Sequence, residues 1–171
     1  MSSFSNFLDQ NVLEIIEFLH GELIKKSFNI SIAESCTGGF LSSCFTSYSG
    51  ASSYFKGSIV AYNNELKVKF LNINQKDISQ YGVASQAIVE LMARNIQKKF
   101  NTNFGLATTG YVDGFSNLPL DDKNDIENYA WIAIATEKAV CSKRLVLNGD
   151  RVNNISVVSL AMLEMLRKEI I

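Results

Sequence analysis

The chain has 171 residues, 47% of them hydrophobic, with a single proline and a formal net charge of −1 from 16 basic and 17 acidic side chains. This composition excludes a disordered or proline-rich protein, and the length suits one globular domain, residues 1–171, with a substantial core. The balanced charge gives no indication of a general nucleic-acid or membrane binder.

The predicted elements begin with an amphipathic helix over about residues 8–25. Its apolar stripe consists of Leu8, Val12, Ile15, Ile16, Leu19, Leu23 and Ile24. The stretch "NISIAES" then predicts a short strand, followed by a helix from about Thr37 to Thr46. "GSIVAYN" at 57–63 is an apolar run of strand length, and the next stretch, "NNELKVKFL", predicts a short helix capped by its asparagines.

The second half of the chain continues this alternation. "SQAIVELMARNIQKKF" predicts a helix with Ser85 as its N-cap, and "FGLATTG" predicts a strand that ends in hydroxyls and a glycine. "YAWIAIAT" and "VCSKRLVLN" predict two adjacent strands, and "RVNNISVVSLAMLEMLRKEI" at 151–170 predicts an amphipathic helix. The pattern favours a single-domain, three-layer α/β/α sandwich with a mostly parallel, mixed sheet.

The stretch 111–128, "YVDGFSNLPLDDKNDIEN", predicts an irregular acidic loop. It contains the only proline and a cluster of acids: Asp121, Asp122, Asp125 and Glu127. A loop of this length in a compact domain is usually functional or mobile, although a solvated acidic loop is the simpler explanation of its charges. The acid spacing does not match a calcium-binding loop, which needs a glycine and a closing glutamate.

Few residues are available for cysteine or histidine chemistry. The three cysteines, Cys36, Cys44 and Cys141, are odd in number and lack metal-ligand spacing. With no secretory signal and no apolar run near about eighteen residues, we expect a soluble, reduced, cytoplasmic protein. The only histidine, His20, lies in the first predicted helix, where we expect a solvated or structural role. Histidine triads and multi-histidine metal sites are therefore nearly excluded.

Polar side chains follow the predicted strands at the edge where an open α/β sheet binds its ligands. Three segments supply them: Ser35 with its neighbours, Tyr62–Lys67 and Thr108–Gly110. Glycines after Ser35 and Thr109 allow close backbone approach, and helix N-termini offer free N–H groups. Such an edge suits an anion, either a phosphate or a developing oxyanion.

Ser35 is a candidate nucleophile, which needs a base to remove its proton. With histidine unavailable, Lys67 is the remaining strong base, provided that partial burial lowers its pKa toward neutrality. Backbone N–H groups after Ser35 are candidates for an oxyanion hole. Simpler explanations are that Ser35 and Thr37 cap a helix, that Lys67 is solvated and that Cys36 is an inert buried thiol. Composition and spacing alone therefore indicate a ligand-binding α/β domain compatible with a hydrolase.

Five stretches together resemble the CinA C-terminal domain family, the nicotinamide-nucleotide amidohydrolases. They are "AESCTGG" at 33–39, "GASSYFKGSIVAYNNELKVKFL" at 50–71, "YGVASQAIVELMA" at 81–93, "GLATTG" at 105–110 and "NGDR" at 148–151. The resemblance covers nearly the whole chain in the family's order, and "ESCTGG" and "AYNNELK" are its specific parts. The chain resembles the stand-alone form of the family, without the separate N-terminal domain of longer members.

The resemblance implies hydrolysis of nicotinamide mononucleotide to nicotinate mononucleotide and ammonia, without a metal or cofactor, in pyridine nucleotide salvage. It implies that Ser35 is the nucleophile, Lys67 its base and Tyr62 a partner that orients or relays the proton. The implied substrate-binding residues are Cys36, Thr37, Gly38, Gly39, Ser52, Asn64, Thr109, Gly110 and Arg151. We assign Arg151 to the phosphate, because a guanidinium pairs bidentately with phosphate oxygens. The expected partners are a small nucleotide substrate and other copies of the chain, as a dimer or higher homo-oligomer, and neither nucleic acid nor membrane.

One segment departs from the family's pattern. After its threonine and glycine the family usually continues with isoleucine, alanine, glycine and proline, whereas this chain has Tyr111, Val112 and Asp113 before the acidic loop. Bulky side chains and negative charge beside a phosphate subsite would hinder an anionic nucleotide. Two alternatives to the amidohydrolase therefore stay open. One is a catalytically divergent member that binds a nucleotide or a partner, and the other is an amidase with a different, less anionic substrate.

Overall fold

The residues that the computed structural model describes, 10–113 and 127–171, contain six α-helices and five strands. The helices are α1 (Gln10–Lys25), α2 (Phe40–Thr46), α3 (Asn64–Leu71), α4 (Gln75–Tyr81), α5 (Gln86–Phe100) and α6 (Arg151–Ile170). The strands are β1 (Ile30–Glu34), β2 (Phe55–Val60), β3 (Phe104–Tyr111), β4 (Asn128–Ala135) and β5 (Val140–Leu147). This order confirms the predicted alternation, with α4 as an additional helix.

The strands form one mixed sheet in the order β2-β1-β3-β4-β5. β1 pairs in parallel with both β2 and β3, whereas β4 is antiparallel to β3 and β5. Four of the five described strands therefore point the same way, which confirms a mostly parallel, mixed sheet. The register places Glu34 at the end of β1 beside Val60 and Thr108. The residues that follow β1, β2 and β3 consequently meet at one edge of the sheet.

Two hydrophobic clusters, one on each face of the sheet, make the three layers. Alternating strand residues such as Ile32 and Leu106 pack with α1, α2 and α6, whereas Ala33 and Ala107 pack with α3, α4 and α5. Small residues on the second face let α5 lie directly on the sheet. At Gly105 an added Cβ would lie 2.3 Å from the carbonyl oxygen of Ala93. The predicted α/β/α sandwich is therefore confirmed.

Several predicted boundaries differ from the observed ones. The predicted start of the first helix at residue 8 lies outside the described residues, and Ile24 of its predicted stripe is 45% exposed. α2 begins at Phe40 rather than near Thr37, because Gly38 and Gly39 have φ values of 59° and 101° that no helix allows. β2 begins two residues earlier than predicted. Asn63 and Ser85 are the N-caps of α3 and α5, as predicted.

The predicted acidic loop at 111–128 overlaps both neighbouring strands. β3 runs to Tyr111 and β4 begins at Asn128. The three aspartates of the predicted acid cluster lie outside the described residues, and Glu127 forms a 2.6 Å ion pair with Arg144. His20 is half-buried, with its ring 4.4 Å from that of Tyr48. None of the described helices is both long and apolar enough to cross a membrane.

Candidate active site

Ser35 and Lys67 lie in direct contact at the carboxyl edge of the sheet. Ser35 follows β1, and its backbone N–H donates to the carbonyl of Thr108 at 3.0 Å. Lys67 lies on α3, one turn after the N-cap Asn63, and its Nζ is 2.9 Å from Ser35 Oγ. A second hydrogen bond joins Lys67 Nζ to the carbonyl of Ala61 at 2.7 Å. The fold thus brings together the serine and the lysine that were predicted as nucleophile and base.

Both side chains of this pair are buried, with 8% of Ser35 and 1% of Lys67 exposed. Burial lowers the pKa of Lys67 from 10.5 to about 8, because the ammonium loses most of its hydration. No carboxylate of the described residues forms an ion pair with its Nζ. The lysine is therefore close to the point at which a proton can leave or return at neutral pH.

Replacing Lys67 by methionine is expected to stabilise the fold at neutral pH by about 1–2 kcal/mol. Its pKa is 10.5 ordinarily and about 8 in the folded protein, so the unfolded chain binds more protons between these values and stability rises with pH there. Burying the charged lysine therefore lowers the free energy of unfolding of the wild type by about 3 kcal/mol at about pH 7 and by about 1 kcal/mol near pH 10. The methionine variant avoids this cost but loses the hydrogen bonds of Lys67, which costs it about 1–2 kcal/mol at either pH.

Urea unfolding of wild type and Lys67→Met at both pH values measures this difference. The matched control is Lys69→Met, on the exposed side of the same helix. The stability gain of Lys67→Met should vanish or reverse near pH 10, whereas the control should show no comparable pH dependence. An unchanged gain at both pH values would contradict a lowered lysine pKa.

The turn between β1 and α2 is held by the carboxylate of Glu34, which is fully buried. Its oxygens accept five hydrogen bonds from the residues that follow. The donors are the Thr37 hydroxyl at 2.6 Å, the N–H groups of Gly39 at 2.9 Å, Leu41 at 3.2 Å and Ser42 at 2.8 Å, and the Ser42 hydroxyl. Glu34 thereby caps α2 and fixes the position of Ser35.

Two backbone N–H groups beside Ser35 donate to no other residue within the described part of the chain. They belong to Cys36 and Thr37, whereas those of Gly38 and Gly39 donate to the Ser35 carbonyl and to Glu34. The hydroxyl of Thr37 is 2.7 Å from that of Thr108, which ties the turn to β3. This arrangement leaves the two free N–H groups available to an anion or an oxyanion.

The thiol of Cys36 lies in the hydrophobic core, with 4% of the residue exposed. Burial raises the pKa of this thiol to about 12, so it stays protonated. The sulfur of Cys36 is therefore unsuited to act as a nucleophile. The simpler explanation of an inert buried thiol describes its sulfur.

Tyr62 and Arg151 meet beside the Ser35–Lys67 pair rather than inside it. The side chain of Tyr62 is 57% exposed, and its hydroxyl accepts a hydrogen bond from Nη2 of Arg151. Among the described residues the tyrosine hydroxyl makes no hydrogen bond to Ser35 or Lys67, so the structure does not place it as a proton relay. Arg151 begins α6, and its Nη1 lies 3.8 Å from Asp113 Oδ2.

Four other predicted substrate-binding residues differ from one another in their position relative to the Ser35–Lys67 pair. Thr109 is buried beside Ser35, and its hydroxyl donates to the carbonyl of Val83 at 2.9 Å. Gly110 packs on β4, because an added Cβ would lie 2.5 Å from Ala130 Cα. Asn64 is exposed in the first turn of α3. Ser52 lies in the 3-10 turn Ala51–Ser53 that precedes β2, at the opposite edge of the sheet from Ser35, so within this chain it is not part of the site.

Two residues that organise the site were missed in the sequence. Glu34 has a visible signal, an acidic residue that ends an apolar strand. Asn154 on α6 has none: it is 1% exposed, and its Nδ2 donates to the Val112 carbonyl at 2.8 Å and to the Gly149 carbonyl at 2.7 Å. The N–H of Gly149 donates in return to Asn154 Oδ1 at 3.0 Å. Asn154 thus joins the end of β3 to the start of α6.

Comparison with known protein families identifies the family of this chain. The model of the CinA C-terminal domain matches residues 13–170. The chain belongs to the CinA C-terminal domain family. CinA-like proteins of Flavobacterium psychrophilum and Cytophaga hutchinsonii are 43% identical over 159 residues and 37% identical over 161 residues, in each case over 92% of this chain. The chain spans 37% of the length of each of these curated relatives.

Solved structures of competence- or damage-inducible proteins have the same fold. A competence or damage-inducible protein from Enterobacter asburiae superposes with a TM-score of 0.85 at 19% identity, over 95% of this chain and 100% of the other. A competence/damage inducible protein from Agrobacterium tumefaciens gives a TM-score of 0.83 at 22% identity, over 98% of both chains. At these identities the likeness concerns the CinA fold alone. The predicted family and fold class are both confirmed.

Proposed function

We propose that this CinA-domain protein is an amidohydrolase that converts nicotinamide mononucleotide to nicotinate mononucleotide and ammonia. The observation that carries the proposal is the 2.9 Å contact between Ser35 Oγ and the buried Nζ of Lys67, whose pKa is lowered to about 8. A serine next to a lysine of lowered pKa is an established nucleophile–base pair. The nicotinamide nucleotide as substrate follows from the resemblance of "ESCTGG" and "AYNNELK" to the family's motifs.

In the first half of the reaction, neutral Lys67 removes the proton from Ser35 Oγ as this oxygen attacks the carboxamide carbon. The carbonyl of Ala61 accepts a hydrogen bond from one N–H of Lys67 Nζ. This bond orients the amine so that its lone pair can face the serine. The carbonyl π bond opens and its oxygen becomes an oxyanion. When the tetrahedral intermediate collapses, the C–N bond breaks and the lysine ammonium gives its proton to the leaving nitrogen, which departs as ammonia.

In the second half, water hydrolyses the ester that joins Ser35 to the acyl group. Lys67 is neutral again after ammonia has left, and it removes a proton from the attacking water. Collapse of the second tetrahedral intermediate breaks the bond to Ser35 Oγ, which recovers its proton from the lysine. The product forms as the carboxylic acid, which ionises to nicotinate mononucleotide and passes its proton to the released ammonia. Lys67 carries the proton in every step at Ser35 and is neutral again in the free enzyme.

The backbone stabilises both tetrahedral intermediates. The N–H groups of Cys36 and Thr37, which donate to no other residue in the described part of the chain, lie directly after the nucleophile. Loss of one such donor typically costs about 3–4 kcal/mol of transition-state stabilisation, because the donors are oriented before charge develops. The buried carboxylate of Glu34 holds this turn through its five hydrogen bonds. The oxyanion hole is therefore rigid, and the carboxylate does not need to contact the substrate.

The experiment that tests the proposal is ammonia release from nicotinamide mononucleotide by the purified protein. Nicotinamide riboside, which lacks the phosphate, and a simple aromatic amide serve as alternative substrates. Ammonia and nicotinate mononucleotide in equal amounts support the proposal. A folded protein that releases no ammonia from any of the three amides contradicts it.

The rate should depend on pH through Lys67. Because the free enzyme needs this lysine neutral, kcat/KM should rise about tenfold per pH unit below about pH 8 and level off above that value. Initial rates between about pH 6.5 and pH 10 measure this profile. A rate that is flat or falls across this range is inconsistent with Lys67 as the base.

A second candidate is an amidase of the same mechanism whose substrate is less anionic. The observation that favours it is the carboxylate of Asp113, 3.8 Å from the guanidinium that we assign to the phosphate. The substrate panel separates the two candidates. A higher kcat/KM with the riboside than with the mononucleotide would favour the less anionic substrate.

A further inference from the structure

Three segments of the chain meet at the guanidinium of Arg151. Tyr62 follows β2, Asp113 follows β3, and Arg151 itself begins α6. Nη2 of the arginine donates to the tyrosine hydroxyl, and Nη1 lies 3.8 Å from Asp113 Oδ2. The guanidinium at this junction therefore already has a neutral and an anionic partner.

Asp113 is held at this place by the fold. The residue before it, Val112, is 3% exposed, and its carbonyl accepts a hydrogen bond from Asn154 Nδ2 at 2.8 Å. Asn154 lies one turn after Arg151 on α6 and is also bonded to Gly149, just before that helix. The end of β3 and the start of α6 are thus joined through a buried amide, so the aspartate and the arginine share one rigid frame.

The pair matters for binding more than for stability. Arg151 and Asp113 have side chains that are 43% and 44% exposed, and an ion pair at this exposure contributes little to folding. An anionic ligand at the arginine, however, would approach the aspartate as well. Its charge would be repelled by the carboxylate, and it would compete with the carboxylate for the charge of the guanidinium.

We propose that Asp113 is a specificity-determining residue that weakens the binding of anionic groups at Arg151. The proposal rests on the proposed function, in which Arg151 receives the substrate phosphate. Asp113 occupies one side of the guanidinium and leaves a subsite of nearly zero net charge. Such a subsite discriminates weakly between a phosphorylated nucleotide and the corresponding nucleoside.

The test compares Asp113→Asn with wild type in two independent measurements. The first is the titration of each protein with inorganic phosphate, followed by NMR through the side-chain Nε–Hε resonance of Arg151, which is assigned by its loss in Arg151→Lys. The second is KM for nicotinamide mononucleotide and for nicotinamide riboside. The control is Glu137→Gln, an equal change of charge on an exposed residue after β4, at the opposite edge of the sheet.

In Asp113→Asn we expect the phosphate midpoint and the KM of the mononucleotide to fall about tenfold, with the KM of the riboside unchanged. The control should resemble wild type in both measurements. An unchanged or higher phosphate midpoint in Asp113→Asn overturns the proposal, because the aspartate would then be neutral toward the anion or would orient the arginine for it. If phosphate binds more tightly but no variant releases ammonia, the proposed function fails and the role of Asp113 stands.

Discussion

Ser35→Ala is expected to lower kcat/KM for nicotinamide mononucleotide by at least about 1000-fold, because the remaining groups can polarise the amide but cannot form the acyl-enzyme. Ser35 is 8% exposed and its hydroxyl is a hydrogen-bond partner of the buried Lys67 Nζ, so the variant should keep its fold with a modestly lower thermal unfolding temperature. Ammonia release under saturating and limiting substrate measures the loss. Activity of Ser35→Ala within about tenfold of wild type would exclude the serine as the nucleophile.

Lys67→Met should lower kcat/KM by a similar factor, and the double variant should be hardly slower than either single one. The reason is that nucleophile and base act in the same step, so removing either removes the same contribution. Lys69→Met is again the matched control, since its lysine lies on the same helix and is exposed. Effects that multiply in the double variant would show that the two residues act in separate steps.

The contrast between these two lysines shows what the sequence could predict about the site. "NNELKVKF" contains both, and solvated lysines are the common case, so composition alone did not favour Lys67. The resemblance to the family selected it, and the helical phase of α3 explains why: Lys67 lies on the buried side with Leu71, and Lys69 does not. The strand that precedes Ser35 and the strand that contains Thr108 were predictable, because buried parallel strands have a strong apolar signal.

Other features were beyond prediction for identifiable physical reasons. α4 has seven residues and one buried side chain, Ile78, so it has no helical stripe to detect. Asn154 is buried because of a carbonyl 42 residues away, and no local pattern reports such a contact. Ser52 and Gly110 match the family's motifs, but their positions depend on tertiary structure. The position of Ser52 depends on the edge of the sheet at which its turn lies, and that of Gly110 depends on the packing of β4.

Glu34 shows a related limit, because its importance arises from hydrogen bonds rather than from apolar burial. Its position after an apolar strand marks it as unusual, yet nothing in the spacing reveals that one carboxylate accepts five bonds. An ionised carboxylate tolerates full burial only when such bonds replace its hydration. The strand ends on an acidic residue for this reason: the acid is the internal cap of the turn that carries Ser35, the proposed nucleophile.

Glu34→Gln is therefore expected to destabilise the protein by about 3–5 kcal/mol and to lower kcat/KM by more than about 100-fold. The amide keeps one acceptor oxygen and replaces the other with an NH2 group, which then faces the donors that Glu34 had bound. Oε1 and Oε2 of Glu34 each accept two or more of the five bonds. Whichever of these two positions the NH2 group takes, at least two N–H or O–H groups of the turn lose their acceptor.

Urea unfolding at about pH 7 measures the stability, and a lower midpoint with an unchanged slope identifies a destabilised native state. The control is Glu65→Gln, the same carboxylate-to-amide change at an exposed residue in the first turn of α3. Its midpoint should shift by less than about 0.5 kcal/mol, as expected of an exposed position. If Glu34→Gln unfolds at the wild-type midpoint and keeps full activity, the carboxylate neither holds the turn nor positions Ser35, and the rigid oxyanion hole loses its physical basis.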